Sequence, residues 1–266
     1  MIQNGEQVLI YNNSIDFNFK NFNRAYLVKI CINENDDSSN IISYKTQVNY
    51  TKEYTKPYYL AEVYISNFLL NDELHQTIMQ NIAMECSKAI EKCVFQVNTK
   101  NEINGLENHK EILEKWHTIK QKVVQENEGA LFEKYVMLFE NTLINKALLF
   151  QKLQKNLFIN QYFFAIFDEP YHGFKKKNIE KFDFFDAEYQ EEMLVEIENE
   201  GAFDANNNVI LHKKLIKTPK NIEENIIQNY DAKYTLNKDR SIKKIKGEFL
   251  NHNKKYSFEI NEEVVR

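Results

Sequence analysis

Between Asn108 and Phe167 apolar residues recur every three or four positions, whereas on either side they recur every second position. The first period lines one face of a helix and the second one face of a strand. Asn108 followed by Glu111 has the form of a capping box. Ile112, Leu113, Trp116, Ile119 and Val123 then make one stripe, opposite Lys115, Lys120, Gln121 and Lys122. Asn127 and Gly129 mark the exit. Leu131, Phe132, Tyr135, Val136, Leu138 and Phe139 cover a wide apolar arc on a second helix. A third pattern runs through Leu143, Ala147, Leu148, Phe150 and Leu153 to Leu157, Phe158, Phe163, Phe164 and Phe167, with breaks at Asn141-Thr142 and Asn156. A membrane span needs ~20 mostly apolar residues. The longest clean run is only Tyr162 to Phe167, so a buried helix is expected and no membrane span.

Before this block, strands are expected at Arg24 to Ile32, Ile42 to Tyr50 and Tyr58 to Ser66. In the first, Tyr26, Val28, Ile30 and Ile32 point one way and Ala25, Leu27 and Cys31 the other, which predicts cover on both faces. In the second, one face is wet. In the third, Tyr59, Ala61, Val63 and Ile65 oppose Tyr58, Leu60, Glu62 and Tyr64. Asn71-Asp72 reads as the cap of a helix carrying Leu74, Ile78, Ile82, Cys86, Ala89 and Ile90, and a helix reaching Cys93 would put both cysteines on one side. Val94 to Val97 looks extended, and Asn101 and Asn104-Gly105 carry turn chemistry.

After the block, proline, glycine and three lysines gather between residues 168 and 178. Phe182, Phe184 and then Met193, Val195 and Ile197 look like paired strands, Asn206 to Asn208 a turn, Val209 to Leu211 a strand, and Asn221 to Gln228 a helical turn. Tyr230, Ala232, Tyr234 and Leu236 alternate cleanly, Asn237 to Asp239 turns the chain, and Ile242 to Leu250 returns with its parity disturbed at Lys243-Lys244, where a bulge restores register. His252-Asn253 turns again before Tyr256, Phe258 and Ile260. Strands joined by short turns are antiparallel. The expectation is an α+β protein: antiparallel sheet, or sheets, from two strand-rich arms packed on a central helical block. One domain over 1–266 with a single shared sheet is the first expectation, and sub-units 1–167 and 179–266 the second.

Composition narrows the class. The chain has 266 residues, 43% hydrophobic and 27% charged, with 6 Gly and 3 Pro, which is globular rather than linker-like. Abundant Asn, Lys, Ile and Phe suit a bacterial, AT-rich genome. A net charge of −5 argues against nucleic acid. Cys31, Cys86 and Cys93 form no CxxC and fit buried thiols in a reducing compartment. The first residues have no signal-peptide form, so the expectation is cytoplasmic unless a signal or lipoprotein leader has been removed.

Little of the sequence carries chemistry. No Walker loop, GxGxxG, GxSxG, HExxH or Cys/His zinc spacing occurs. His109 and His117 are eight residues apart and point about 80° from one another on a helix. Cys31 lies in an apolar strand, where burial quenches a thiol. Glu196 and Glu198 fall on a solvated face opposite Val195 and Ile197. The basic stretch Lys213, Lys214, Lys217 and Lys220, with Arg240, Lys243, Lys244 and Lys246, reads as a solvated face able to dock an acidic partner. No catalytic residue, metal ligand or cofactor is expected. Two features stand out. The loop from Asp168 to Phe174 sets Tyr171, His172 and Phe174 beside the most apolar segment. Tyr44, Tyr50, Tyr54, Tyr58, Tyr59 and Tyr64 crowd together, and Tyr58, Leu60 and Tyr64 share the face turned from the core. The expectation is a non-enzymatic protein-interaction or assembly module, of immunity type among others, with a protein partner or a homo-oligomer. The alternative is a carrier of an apolar small molecule or lipid in a cavity lined by Phe150, Phe158, Phe163 and Phe164.

Overall fold

The structure is a computed structural model, and it describes residues 15, 21–35, 38–52, 55–73, 77–167, 175–182, 191–203, 208–217, 227–251 and 254–263. Five strands come first: β1 (Phe22–Asn35), β2 (Ser38–Lys52), β3 (Tyr59–Leu70), β4 (Lys92–Val97) and β5 (Ile103–Leu106). Helix α1 (Ile78–Ser87) and a 3-10 turn (Lys88–Ile90) lie between β3 and β4. After β5 follow α2 (His109–Glu126), α3 (Ala130–Ile144), α4 (Lys146–Gln154) and α5 (Leu157–Tyr162). The chain ends in β6 (Lys175–Phe182), β7 (Glu191–Phe203), β8 (Val209–Lys217), β9 (Ile227–Leu236), β10 (Ile242–Asn251) and β11 (Lys254–Glu263).

The eleven strands among the described residues form one antiparallel sheet in the order β5-β4-β3-β2-β1-β11-β10-β9-β8-β7-β6. The first strand pairs with the last, Val28 opposite Ile260 and Ile30 opposite Phe258, so the two arms share one sheet. Arg24 closes that seam at 2.6 Å to Glu262 of β11 and 2.6 Å to Asp239 of the β9–β10 turn. The expected bulge is present between Ile242 and Lys244.

One face of the sheet carries the core. Tyr26, Val28, Val48, Tyr50, Ala61, Val63, Phe95, Val97, Tyr230, Tyr234, Ile245, Phe258 and Ile260 are all buried on it. Each large apolar side chain contributes ~1.5–3 kcal/mol by leaving water. Gly247 has no room for a side chain, since a Cβ there would lie 2.5 Å from the Phe258 ring and 2.9 Å from Ala232 Cβ. The hub is α5, every described residue of which from Leu157 to Tyr162 is buried except Asn160. Tyr162 reaches the first arm: its hydroxyl lies 3.1 Å from that of Tyr26, which donates to Ile242 O at 2.8 Å. Asn101 accepts from Tyr50 at 2.5 Å and donates to Tyr162 O at 2.7 Å.

Several expectations need correction. The second face of β1 is open: Leu27 is exposed, with Lys45 and Asn261 opposite it. Asn71 and Asp72 adopt positive φ in a turn, and α1 is capped by Thr77 in a capping box with Gln80. That helix ends before Cys93, which lies in β4, so the two cysteines do not share a helix. Asn108 sits at the start of α2, but its side chain accepts from Val94 N at 2.8 Å and donates to Lys92 O at 3.1 Å, stitching the helix to β4 instead of capping it. Helix α3 runs through Asn141-Thr142 because Thr142 satisfies its hydroxyl on Leu138 O, and the break falls at Asn145, which caps α4. Asn104-Gly105 lies in β5, not in a turn. Phe163 to Phe167 is buried but not helical, and Ile166 N donates instead to Lys100 O at 3.0 Å. Lys175 to Lys177, expected in the junction, open β6. The helical turn expected at Asn221 to Gln228 and the turns at Asn206 to Asn208 and His252-Asn253 lie wholly or mainly outside the described residues; Ile227 and Gln228 belong to β9.

Candidate functional site

Alternating directions along the sheet make its two edges, β5 and β6, run the same way. A chain leaving one end of β5 must cross back before it can start β6, and α2 to α5 make that crossover. The edges come together at a cleft of about 600 Å³. Glu102, Ile103 and Asn104 line one wall, Lys177 to Glu180 the other, and Phe163, Phe164 and Ala165 lie between, with Asn160 and Gln154 beside them.

Behind the β6 wall lies a buried polar network. Gln161 of α5 accepts hydrogen bonds from both Tyr230 and Tyr234, the latter at 2.7 Å. Lys213 of β8 has no exposed side-chain surface and forms an ion pair with Glu180, which itself faces the cleft. The Lys213 ammonium also sits 4.1 Å from the centre of the Phe164 ring, within cation–π range. Burial pushes the Lys213 pKa down, and Glu180 opposes that shift. Lys176 donates to Ala165 O at 2.6 Å, which fixes the start of β6 on the segment below. Lys213 is too deeply placed to meet a ligand; the polar groups that do face the cleft are carboxylates, side-chain amides and Lys177, which hold and orient. Lys213 thus departs from the solvated face expected of its stretch, whereas Lys214 is exposed. Its signal in the sequence is parity: Lys213 alternates with Leu211 and Leu215.

A second groove, of about 390 Å³, lies between α2 and α3. Val124, Phe132, Val136 and Met137 form its apolar part, and Glu128, Glu133 and Glu140 stand at its rim with Lys120. Lys120 is taken by Glu140 at 2.7 Å, and Glu128 and Glu133 make no ion pair among the described residues. The core uses only part of the wide arc of α3. Phe132, Val136 and Leu143 are buried, while Leu131 is 77%, Met137 53%, Leu138 53% and Ile144 60% exposed.

Of the tyrosine face, Tyr58 and Leu60 are half-buried and Tyr64 is exposed, with Gln47 and Lys92 opposite it. The four phenylalanines are split. Phe163 and Phe164 line the cleft, Phe158 stacks on Tyr162 with ring centres 5.0 Å apart, and Phe150 lies 6.4 Å from Phe95. Tyr171, His172 and Phe174 lie outside the described residues. On the outer sheet face Glu196 and Glu198 pair with Lys175 at 3.0 and 3.4 Å. That face continues as a charged groove of about 770 Å³ over β1, β11, β10 and β9, where Lys246 meets Glu259 at 3.1 Å and Lys255 meets Glu248 at 2.9 Å. Burial raises the thiol pKa of Cys86 to about 11 and of Cys93 to about 12, so both stay protonated. Among the described residues no helix is long and apolar enough to cross a membrane, and no group of three or more His, Cys, Asp or Glu could hold a metal ion. The chain matches no protein-family model and no curated protein sequence.

Proposed function

We propose that this chain is a non-enzymatic protein-interaction module and that the groove between α2 and α3 is its docking surface. One observation carries the reading: the apolar arc of α3 is wider than the core it covers. Leu131 and Leu138 flank the buried stripe on one side, Met137 and Ile144 on the other. Exposed apolar surface of this extent beside polar rim groups is typical of a protein-binding site. A groove between two helices suits an amphipathic helix laid along it, and methionine adapts to such partners. Glu128 and Glu133 select for basic residues on the edge of that helix. The tyrosine face has less support, because only Tyr64 of its three residues is exposed, at 38%. The apolar carrier also has less, because Phe158 has no exposed surface and fills core space.

The test is affinity isolation from the cells that make the protein, with the native chain and with Met137→Glu. The module should retain a defined protein that the variant loses, while the unfolding midpoint stays unchanged, since 137 is a surface position. An identical set of retained proteins with both chains would remove the groove from the account.

A further inference from the structure

We infer that the cleft between β5 and β6 is a second port, independent of the helical groove, which takes an extended segment of a partner protein as a twelfth strand antiparallel to both edges, with an acidic residue opposite Lys177. An all-antiparallel sheet closes on itself only with an even number of strands. Among the described residues this sheet has eleven, so its edges are parallel to each other. They cannot pair antiparallel with one another, but one more strand between them satisfies both.

The edges are placed for it. They line the same cleft, whose volume of about 600 Å³ lies in the range of sites that hold a ligand. Strand β5 bonds to β4 and β6 to β7, and the two stand at opposite ends of the strand order among the described residues. Such rows of backbone amides and carbonyls are a template for an incoming strand. The floor, Phe163 to Ala165, is nearly dry and can cover the inward side chains of a guest.

The outward side of β6 defines what the guest carries. Lys177 and Ile179 are two residues apart and share that side. Lys177 is exposed and makes no ion pair among the described residues, while its neighbour Lys175 is already held by Glu196 and Glu198. Ile179 is 69% exposed and has apolar surface left to cover. Read from its N-terminus, the complementary antiparallel guest is therefore apolar, any residue, acid. Three successive lysines at the start of β6 guard it against a second copy of itself, as edge lysines do in other sheets.

The test is selection of random ten-residue peptides on the full chain, followed by binding of the enriched peptides to the chain and to Lys177→Glu, whose unfolding midpoint is measured beside it because Glu196 lies opposite position 177. The enriched pool should carry Asp or Glu two positions from an apolar residue. Lys177→Glu should weaken these peptides by about fivefold, as a like-charged cross-strand pair does, and should itself select Lys or Arg at that position. Alternate backbone N-methylation should cost about tenfold or more by removing ladder hydrogen bonds. A spin label on the peptide N-terminus should broaden amide signals near Glu180 rather than near Lys175. No enrichment, equal binding to Lys177→Glu, tolerance of N-methylation, or a label that broadens the Lys175 end would each overturn the inference.

Discussion

A single glutamine side chain holds the second arm of the sheet to α5. Gln161 is fully buried and its Oε1 receives the hydroxyls of Tyr230 and Tyr234. Gln161→Leu leaves buried hydroxyls without that acceptor and is expected to cost ~2 kcal/mol in urea unfolding; Tyr230→Phe with Tyr234→Phe in the same background should recover most of it. The Lys213–Glu180 pair behaves differently, because burying two charges costs about what their attraction returns. Lys213→Met and Glu180→Leu are each expected to destabilise by ~3 kcal/mol, and the double variant by much less. Additive losses in the cycle would mean the pair is not coupled. Burial also raises the hydroxyl pKa values of Tyr26, Tyr50, Tyr162, Tyr230 and Tyr234. Groups whose folded pKa is raised give stability that is complete below the unfolded value near 10 and lost as pH rises beyond it. Each such tyrosine steepens the loss by about 1.4 kcal/mol per pH unit. An alkaline absorbance titration should show these tyrosines ionising together with unfolding; independent ionisation near pH 10 would contradict their burial.

At the scale of elements, what was legible depended on whether one face of an element is wet. Tyr230 to Leu236 alternate cleanly because β9 has a core face and an open face, and the disturbed parity at Lys243-Lys244 marks a true bulge. Strand β5 was hidden because Asn104 and Gly105 are turn formers, and pairing with β4 overrides that preference. Asn108 looked like a cap because propensity is local, yet its amide serves a strand 14 residues away. Asn108→Ala should therefore cost ~1–2 kcal/mol from two lost hydrogen bonds and leave helix content unchanged by circular dichroism; a drop in helicity would restore the capping role. Asn156→Ala, which removes the α5 cap to Ile159 N, should cost ~1 kcal/mol. The groove between α2 and α3 was half legible. The wide arc of α3 can be read from Leu131 to Phe139, but apolar spacing does not say which flank is covered. Lys213 and Gln161 were missed because a residue type says polar while the parity of its strand, or the crowding of its helix, says buried.

On the whole-molecule scale, one antiparallel sheet carries two kinds of surface that the fold itself leaves unfilled. Its parity leaves two parallel edges at one cleft, and its helical crossover leaves an apolar groove facing outward. Both follow from how eleven strands and four crossover helices are connected, and neither needs a catalytic group. A module built in this way is expected to be found in company. The most direct measurement is native mass spectrometry of the chain purified from the cells that make it, beside a Met137→Glu sample. The account predicts a mass above 31.7 kDa, either a multiple of it or a defined heteromer, from which the variant loses a bound chain. A bare 31.7 kDa species from the native chain, or a complex that Met137→Glu leaves whole, would contradict it.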